Sequence, residues 1–332
     1  MTNAFYYRNR SARIGKASAF TTINAPLHNE SMISTLPPLP LTEWKPTCDT
    51  LHMWTQIIGK VRLALAPRVN HWWEVPLYVS ARGLTTSAIP HGNLVFDCEL
   101  DFVDHQLLIR VSNGRLGRVA LQPRSVADFY RETMARLKEC GVDVDIWPVP
   151  VEIDNPIPFA EDTEHASYDR DAVERFWRVL MFSDRVMNRF RASFIGKCSP
   201  VHFFWGSFDM AVTRFSGRRA PENPTADVIT REAYSHEVSS CGWWPGGGAC
   251  PGPAFYSYAA PQPEGFKTAR VEPAEAFYSD AFSEFVLPYD DVRAAADPEA
   301  SLLQFCQSTY VAAADAGGWD RAALERDAAP GH

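Results

Sequence analysis

The sequence has 332 residues, of which 46% are hydrophobic and 22% are charged, and its formal net charge is −8. These values are typical of a globular chain long enough to bury a sizeable core, and they exclude a fibrous or wholly disordered protein. The acidic balance argues against nucleic-acid binding, which needs a basic surface. No apolar run reaches the roughly 18 residues of a membrane span, and the N-terminus shows no apolar signal segment. We therefore predict a soluble, cytoplasmic protein that binds neither nucleic acid nor a membrane.

The spacing of the cysteines and the lack of nucleotide-binding motifs bear on the redox state of the thiols and on the cofactor. The seven cysteines are scattered, odd in number and without a CxxC pair. This pattern favours reduced thiols over a disulfide framework, in agreement with a cytoplasmic location. Neither GxGxxG nor GxxxxGK[ST] occurs, so a nucleotide cofactor has no support. The cofactor stays unknown, with a divalent metal as one open interpretation.

Composition along the chain indicates three regions. Residues 1–35 are polar and lack an apolar period, so we predict a disordered N-terminal extension, with Met32 as a second candidate start. Residues 36–320 are predicted to form one α+β domain, and weak internal similarity suggests the halves 36–158 and 159–320. Residues 321–332 are predicted to be a flexible tail.

Apolar spacing and turn residues predict the secondary structure in chain order. Runs of strands followed by helices favour α+β with mainly antiparallel sheet over a doubly wound parallel sheet. The predicted elements are an extended proline-rich arm at 36–44, a helix from Asp49 or Thr50 to Pro67, a strand meander over 71–121, helices over 125–139 and 169–194, a long strand over 201–214, two strands joined by a glycine loop over 234–260, a short helix over 274–286, and a last helix from Asp297 to Gly317.

The segment HFFWGSFDMAVTRFSGR, residues 202–218, places charge among large aromatic rings. Read as one strand, both of its faces are largely apolar, which predicts a central strand covered on both sides. A buried His202, Asp209 or Arg214 must find partners, because an unpaired buried charge is costly. These side chains therefore either complete a buried network or line a cavity.

A second segment, YSHEVSSCGWWPGGG at 234–248, adds His236 and Glu237. If His236 meets His202 across neighbouring strands, a histidine and a carboxylate provide general acid–base chemistry, and Arg214 neutralises an anionic substrate. Alternatively, His202, His236 and Glu237 hold a divalent metal. A third interpretation makes these histidines ordinary core residues. The candidate catalytic residues are His202, Asp209, Arg214, His236 and Glu237.

Aromatic residues are concentrated in the same part of the chain. Of the 41 Phe, Trp and Tyr residues, 18 fall between positions 159 and 258, which favours either a thick core or an aromatic-lined pocket for a small molecule. The candidate ligand-binding residues are Phe204, Trp205, Trp243, Trp244 and Tyr256.

Four long segments resemble a bacterial family of uncharacterised proteins, known as a domain of unknown function. They are LPLTEWKPTCDTLHMWTQIIGKVRLALAP, NHWWEVPLYVSARGLTTS, SPVHFFWGSFDMAVTRFSGR and TREAYSHEVSSCGWWPGGG. The resemblance covers about residues 36–325 and implies one architecture over that span, but it implies no activity for any residue.

Three functions remain open from the sequence. The first is an enzyme acting on a small aromatic or anionic organic molecule by His/carboxylate or metal-assisted chemistry. The second is a non-catalytic protein that binds a small ligand in an aromatic pocket. The third is a protein–protein interaction module that uses the tryptophan loop or the proline-rich arm. The oligomeric state is not predicted.

Overall fold

The computed structural model describes residues 36–326, and the predicted N-terminal extension over residues 1–35 lies outside them. The described residues form helices and two mainly antiparallel sheets, which confirms the predicted α+β class. No helix in this part of the chain is both long enough and apolar enough to cross a membrane.

Each sheet has six strands, and every strand pairing is antiparallel. The first sheet has the order β1-β2-β4-β5-β6, with β3 also paired to β4, and the second has the order β11-β12-β10-β9-β8-β7. The strands of the first sheet are β1 Tyr78–Val79, β2 Gly83–Thr85, β3 Ile89–His91, β4 Leu94–Asp101, β5 Gln106–Val111 and β6 Leu116–Ala120. Those of the second are β7 His202–Phe204, β8 Asp209–Arg219, β9 His236–Trp244, β10 Ala254–Ala260, β11 Phe277–Ser279 and β12 Glu284–Pro288.

Long helices cover the sheets, and short ones connect the strands. Asp169 begins the third helix by accepting hydrogen bonds from the amides of Asp171 and Ala172, as expected of an N-cap. Asp297 caps the sixth helix in the same way. The helices are α1 Leu41–Leu65, α2 Val126–Glu139, α3 Arg170–Ala192, α4 Val228–Ala233, α5 Tyr289–Ala294, α6 Pro298–Ala316 and α7 Arg321–Leu324, with 3-10 turns at Asn70–Trp72 and Phe266–Thr268.

Phe176 of α3 lies where the layers meet and is fully buried. Its ring stacks on Phe208 at 5.3 Å between ring centroids and lies 5.9 Å from Trp243 of β9. It also contacts Trp44 of α1 at 5.3 Å and Phe102, next to β4, at 6.4 Å. A single aromatic cluster therefore holds α1, α3 and both sheets together, and each such pair contributes about 0.5–1.5 kcal/mol beyond burial of its area.

The predicted long strand over 201–214 is wrong. A turn at residues 205–208 breaks it into β7 and β8, which pair as a hairpin with His202 opposite Ala211. Phe208 in this turn has a φ of 58°, and the turn also contains Gly206 and Ser207, which are residue types that favour turns. The reversal changes which side chains share a face, because parity along one strand no longer relates His202 to Arg214.

Other boundaries also differ from the predictions. The first helix begins at Leu41 rather than near Asp49, and it includes Pro46, which removes one backbone donor from the second turn. The predicted helix over 274–286 is wrong, since β11 and β12 occupy that segment and α5 begins only at Tyr289. Residues 321–326, which we predicted to be in a flexible tail, form α7 and a β-bridge to Phe194.

Gly59 of α1 gives a test of this packing. A Cβ at this position would overlap the Trp205 ring, whose Nε1 donates to the carbonyl oxygen of Val75 at 2.8 Å. Gly to Ala inside a helix normally stabilises by about 1 kcal/mol. Here we expect Gly59→Ala to lower the free energy of unfolding by about 1–3 kcal/mol because the core is overpacked.

Chemical denaturation of Gly59→Ala in two backgrounds measures this effect. Trp205→Leu removes the ring, so Gly59→Ala should become neutral or stabilising in that background. An equal loss of stability in both backgrounds would show that Trp205 is not the cause.

Candidate functional site

The second sheet has one face toward the core and one face away from it. Strand alternation directs Met210, Val212 and Trp243 into the core, where each has at most 1% of its surface exposed. The opposite surface, which we call the outward face, carries Phe204, Asp209, Thr213, Ser240, Gly242, Trp244, Tyr256, Tyr258 and Glu284. Many of these side chains are only half-buried, so a small molecule has access to the outward face.

Asp209 is a carboxyl group of the outward face that accepts hydrogen bonds from two side-chain hydroxyls. Its Oδ1 accepts a hydrogen bond from Ser207 at 2.5 Å, and its Oδ2 accepts one from the Tyr256 hydroxyl. Tyr256 reaches Asp209 by crossing Gly242, where a Cβ would overlap the phenol. The glycine is therefore required by close approach of the ring, and it brings a tyrosine of β10 to an aspartate of β8.

The charge of Asp209 acts on two further carboxyl groups, Glu284 and Glu152. Burial raises the pKa of Asp209, although its hydrogen bonds to Ser207 and Tyr256 oppose the rise. Burial and the charge of Asp209 raise the pKa of Glu284 to about 7. The same two causes raise the pKa of Glu152, whose carboxyl lies against Gly206. Within residues 36–326, none of the three forms an ion pair with Lys, Arg or His.

Three tyrosines extend the site along the sheet. The rings of Tyr256 and Tyr258 stack at 6.2 Å with 12° between their planes, and the hydroxyls of Tyr258 and Tyr234 lie 2.9 Å apart. Burial raises the pKa of all three phenols, with the charge of Asp209 contributing in each case. They therefore stay protonated at neutral pH, and the Tyr256 hydroxyl donates to Asp209.

An open cavity of about 830 Å³ adjoins these tyrosines. Its floor includes Tyr258, and its wall is the segment 219–235, which leaves the sheet after β8 and returns at β9. The polar and aromatic lining residues are Arg219, Glu222, Asn223, Thr230, Arg231, Glu232, Tyr234, Ser235 and Tyr258. This volume lies within the range of small-molecule sites.

A protein-family model matches the described part of the chain. A model described as a family of unknown function (DUF5996) matches residues 36–326. The chain belongs to this family. This confirms the resemblance seen in the sequence segments, and the family brings no activity with it. No curated protein matches the DUF5996 chain, and no solved structure does.

The structure brings together only part of the predicted catalytic set. Asp209 lies in the carboxyl–tyrosine network, while His202, opposite Ala211 on the neighbouring strand, packs beneath Trp73 and Tyr78. Burial and the charges of Arg62 and Arg191 lower the pKa of His202 to about 3, and its Nε2 has no partner. His202 is therefore a neutral imidazole whose ring packs against Trp73, Tyr78 and Phe204 rather than bonding to Asp209.

His236 begins β9, with its Nδ1 3.1 Å from the Ser235 hydroxyl. It approaches His202 only through intervening rings, since its own ring neighbour is His71 at 5.6 Å between centroids. Burial and the charges of Lys197 and Arg219 lower the pKa of His236. The predicted cross-strand pair of His202 and His236 is therefore not formed.

Arg214 and Glu237 both lie off the outward face. Arg214 is fully buried toward the core, where its guanidinium carbon lies 3.4 Å from the centroid of Phe190 and 4.3 Å from that of Tyr310. It donates to the carbonyl oxygen of Phe190 and to the hydroxyl of Ser193. Glu237 pairs with Arg218 at 2.7 Å on the surface. Neither residue is placed to act with Asp209.

The predicted metal set is equally dispersed, since His202, His236 and Glu237 have separate partners. Over residues 36–326, no group of three or more His, Cys, Asp or Glu side chains is arranged to hold a metal ion.

The predicted ligand-binding aromatics divide between the two faces. Phe204, Trp244 and Tyr256 are half-buried on the outward face, and Trp244 lies 6.3 Å from Phe282. Trp243 is fully buried beside Phe176, and Trp205 packs against α1. The two adjacent tryptophans therefore have different roles because successive strand residues point in opposite directions.

Sequence reasoning missed Glu152, Ser207, Tyr234, Tyr258 and Glu284. The alternation in AFYSYAA, where Phe255 and Ser257 are buried and Tyr256 and Tyr258 are not, contained a signal for Tyr258. Glu152 lies in an irregular segment that joins neither sheet, so no period in the sequence marks it.

Glu284 gives a pH-dependent test of the site. Its pKa of about 7 in the folded chain exceeds the ordinary value of 4.5, so the folded state binds its proton more tightly than the unfolded state. The stability that this proton provides is present below pH 4.5 and is lost as the pH rises through 7. We expect this group to lower the free energy of unfolding by about 1–2 kcal/mol between pH 5 and pH 8, after allowing for its partial exposure.

Urea denaturation at pH 5 and at pH 8 gives the change in the free energy of unfolding between the two pH values, which is compared between wild type and variants. Glu284→Gln should lose this part of the pH dependence, whereas Asp280→Asn, which alters an exposed carboxyl paired with Lys267, should keep it. The same pH dependence in wild type and Glu284→Gln would contradict the raised pKa.

Proposed function

We propose that the chain is an enzyme that acts on a small organic molecule by acid–base chemistry on the outward face of the second sheet. The observation that carries this proposal is that Asp209, held by two hydroxyl donors, is close enough for its charge to help raise the pKa of Glu284 to about 7. Groups that titrate near the working pH are the most effective general acids and bases.

The two carboxyl groups have different environments, which favours different roles. Burial raises the pKa of Asp209, but the hydrogen bonds that it accepts from Ser207 and Tyr256 stabilise its charged form and oppose that rise. Glu284 is shifted upward by burial and by the charge of Asp209, so it carries a proton for much of the time at neutral pH. We assign Asp209 the role of base and Glu284 the role of acid.

Charge narrows the class of substrate. Asp209, Glu152 and Glu284 have no cationic partner within the described residues, so they would repel an anionic group placed among them. Arg214, which the sequence suggested for an anionic substrate, lies on the core side of the sheet. The half-buried rings of Tyr256, Tyr258 and Trp244 instead favour a neutral or cationic molecule with an apolar or aromatic body.

A mixture of small metabolites, followed over time by mass spectrometry, tests this function. We expect wild type to convert at least one neutral or cationic compound, and Asp209→Asn to reduce the rate by about a hundredfold or more. If Glu284 acts as the acid, the rate should fall as the pH rises above about 7. Tyr256→Phe should slow the reaction by removing a donor to Asp209.

Tyr278→Phe is the matched control, because its hydroxyl bonds to Gln262 and lies outside the network. A compound converted equally by wild type and Asp209→Asn would refute the role of Asp209. A compound that binds the outward face but is never changed would favour the second function, a small-ligand-binding protein.

That second function is supported by the aromatic content of the outward face. Tyr256 stacks with Tyr258, and Trp244 packs edge-on against Phe282, so a planar ligand could be held without any chemistry. Equilibrium dialysis measures the binding of such a compound to wild type and to Trp244→Ala. Weaker binding to Trp244→Ala, with the compound recovered unchanged, would favour the ligand-binding function over turnover.

A further inference from the structure

A second polar cluster lies on the outward face, beyond the carboxyl–tyrosine network. Lys197, between α3 and β7, places its Nζ 2.6 Å from Nε2 of His71. The same Nζ lies 4.9 Å from the ring centroid of Phe215 and 5.3 Å from that of Trp73. An amine thus lies against two aromatic rings with an imidazole as its hydrogen-bond partner.

The environment of Lys197 differs from that of an ordinary surface lysine. Within residues 36–326 no carboxylate lies within ion-pair distance of its ammonium group. Burial lowers its pKa, which increases the fraction of neutral amine. The side chain is nevertheless only half-buried, so a small reagent can reach the nitrogen.

His71 is fixed in the tautomer that this amine requires. Its Nδ1 lies 3.0 Å from the carbonyl oxygen of Glu232 and 3.1 Å from that of Ala233. Carbonyl oxygens only accept, so Nδ1 carries the hydrogen, and Nε2 presents a lone pair to Lys197. Burial and the charge of Lys197 lower the pKa of His71, which keeps that lone pair available.

The backbone that holds His71 is strained. His71 and Trp72 both have a φ of 60°, a conformation that bulky residues adopt at a cost of about 1–3 kcal/mol each. The strained turn places the imidazole between Lys197 and the carbonyl groups at the end of α4. A nucleophile, a base within hydrogen-bond reach, and a third group that orients the base are the parts of an activated nucleophile.

We propose that Lys197 is a nucleophile that condenses with a small aldehyde or ketone to form a Schiff base, with His71 as the proton acceptor. This activity goes beyond the acid–base function of Asp209 and does not depend on it.

The steps balance in atoms and protons. His71 Nε2 takes one proton from the ammonium, and the amine lone pair then forms a bond to the carbonyl carbon while the π pair moves to oxygen. The imidazolium returns the proton to that oxygen, which gives a carbinolamine. A second proton passes from the nitrogen through His71 to the hydroxyl, which leaves as water as the C=N bond forms. The net change is ammonium plus carbonyl compound to iminium plus water.

Reductive trapping tests the proposal directly. The folded protein is treated at pH 7 with limiting propanal and sodium cyanoborohydride, and peptide mass spectrometry gives the propylation rate of each of the six lysines. Lys267 is the internal reference, because it is exposed and Asp280 raises its pKa. We expect Lys197 to be labelled at least about tenfold faster than Lys267 despite its lower exposure, since each unit of pKa changes the neutral fraction about tenfold.

His71→Gln tests the role of the imidazole. Glutamine keeps a hydrogen-bonding group but cannot take up a proton at pH 7, so we expect labelling of Lys197 to slow by about tenfold or more while Lys267 is unchanged. If His71→Gln does not fold, as judged by circular dichroism, the ratio of rates in wild type still decides the main claim. Labelling of Lys197 no faster than that of Lys267 would overturn the proposal. Rapid labelling that is unaffected by His71→Gln would overturn the role of His71.

Discussion

The fold depends on burial of the core face of the second sheet against the aromatic cluster around Phe176. Met210, Val212 and Trp243 have to point toward this cluster, because exposing them would cost about 1.5–3 kcal/mol each. Because successive residues of a strand point to opposite faces, the residues next to them point to the outward face. Asp209 and Tyr256 are directed to the outward face by the same constraint that fills the core.

The chemistry of the outward face follows from partial burial without counter-ions. Asp209 is stabilised by two hydroxyl donors rather than by a cation, and Glu284 takes up a proton because its charge is both desolvated and repelled. At the other cluster, Lys197 has an imidazole where a carboxylate would be ordinary. In both places burial shifts the pKa of a titratable group toward its uncharged form, which is the property that acid–base and nucleophilic chemistry use.

Much of the secondary structure was readable from the sequence, whereas the site was not. Apolar period and capping residues predicted α2, α3 and α6 closely, because those signals are local. The glycine loop between β9 and β10 was also correct. The sequence indicated Asp209 as a candidate catalytic residue and Tyr256 as a candidate ligand-binding residue, without relating the two. Nothing local shows that Tyr256 crosses Gly242 to reach Asp209, since that contact depends on the pairing of three strands.

The sequence by itself determined the α+β class, the family and the position of most helices, because composition, period and long motifs are properties of neighbouring residues. Only the tertiary structure decided which charged residues meet. The reversal at residues 205–208 separated His202 from Arg214, and strand register brought the Tyr256 hydroxyl to Asp209. The site of Lys197 and His71 joins residues 126 positions apart through a strained turn. Such contacts depend on chain reversal and register, which no local pattern specifies.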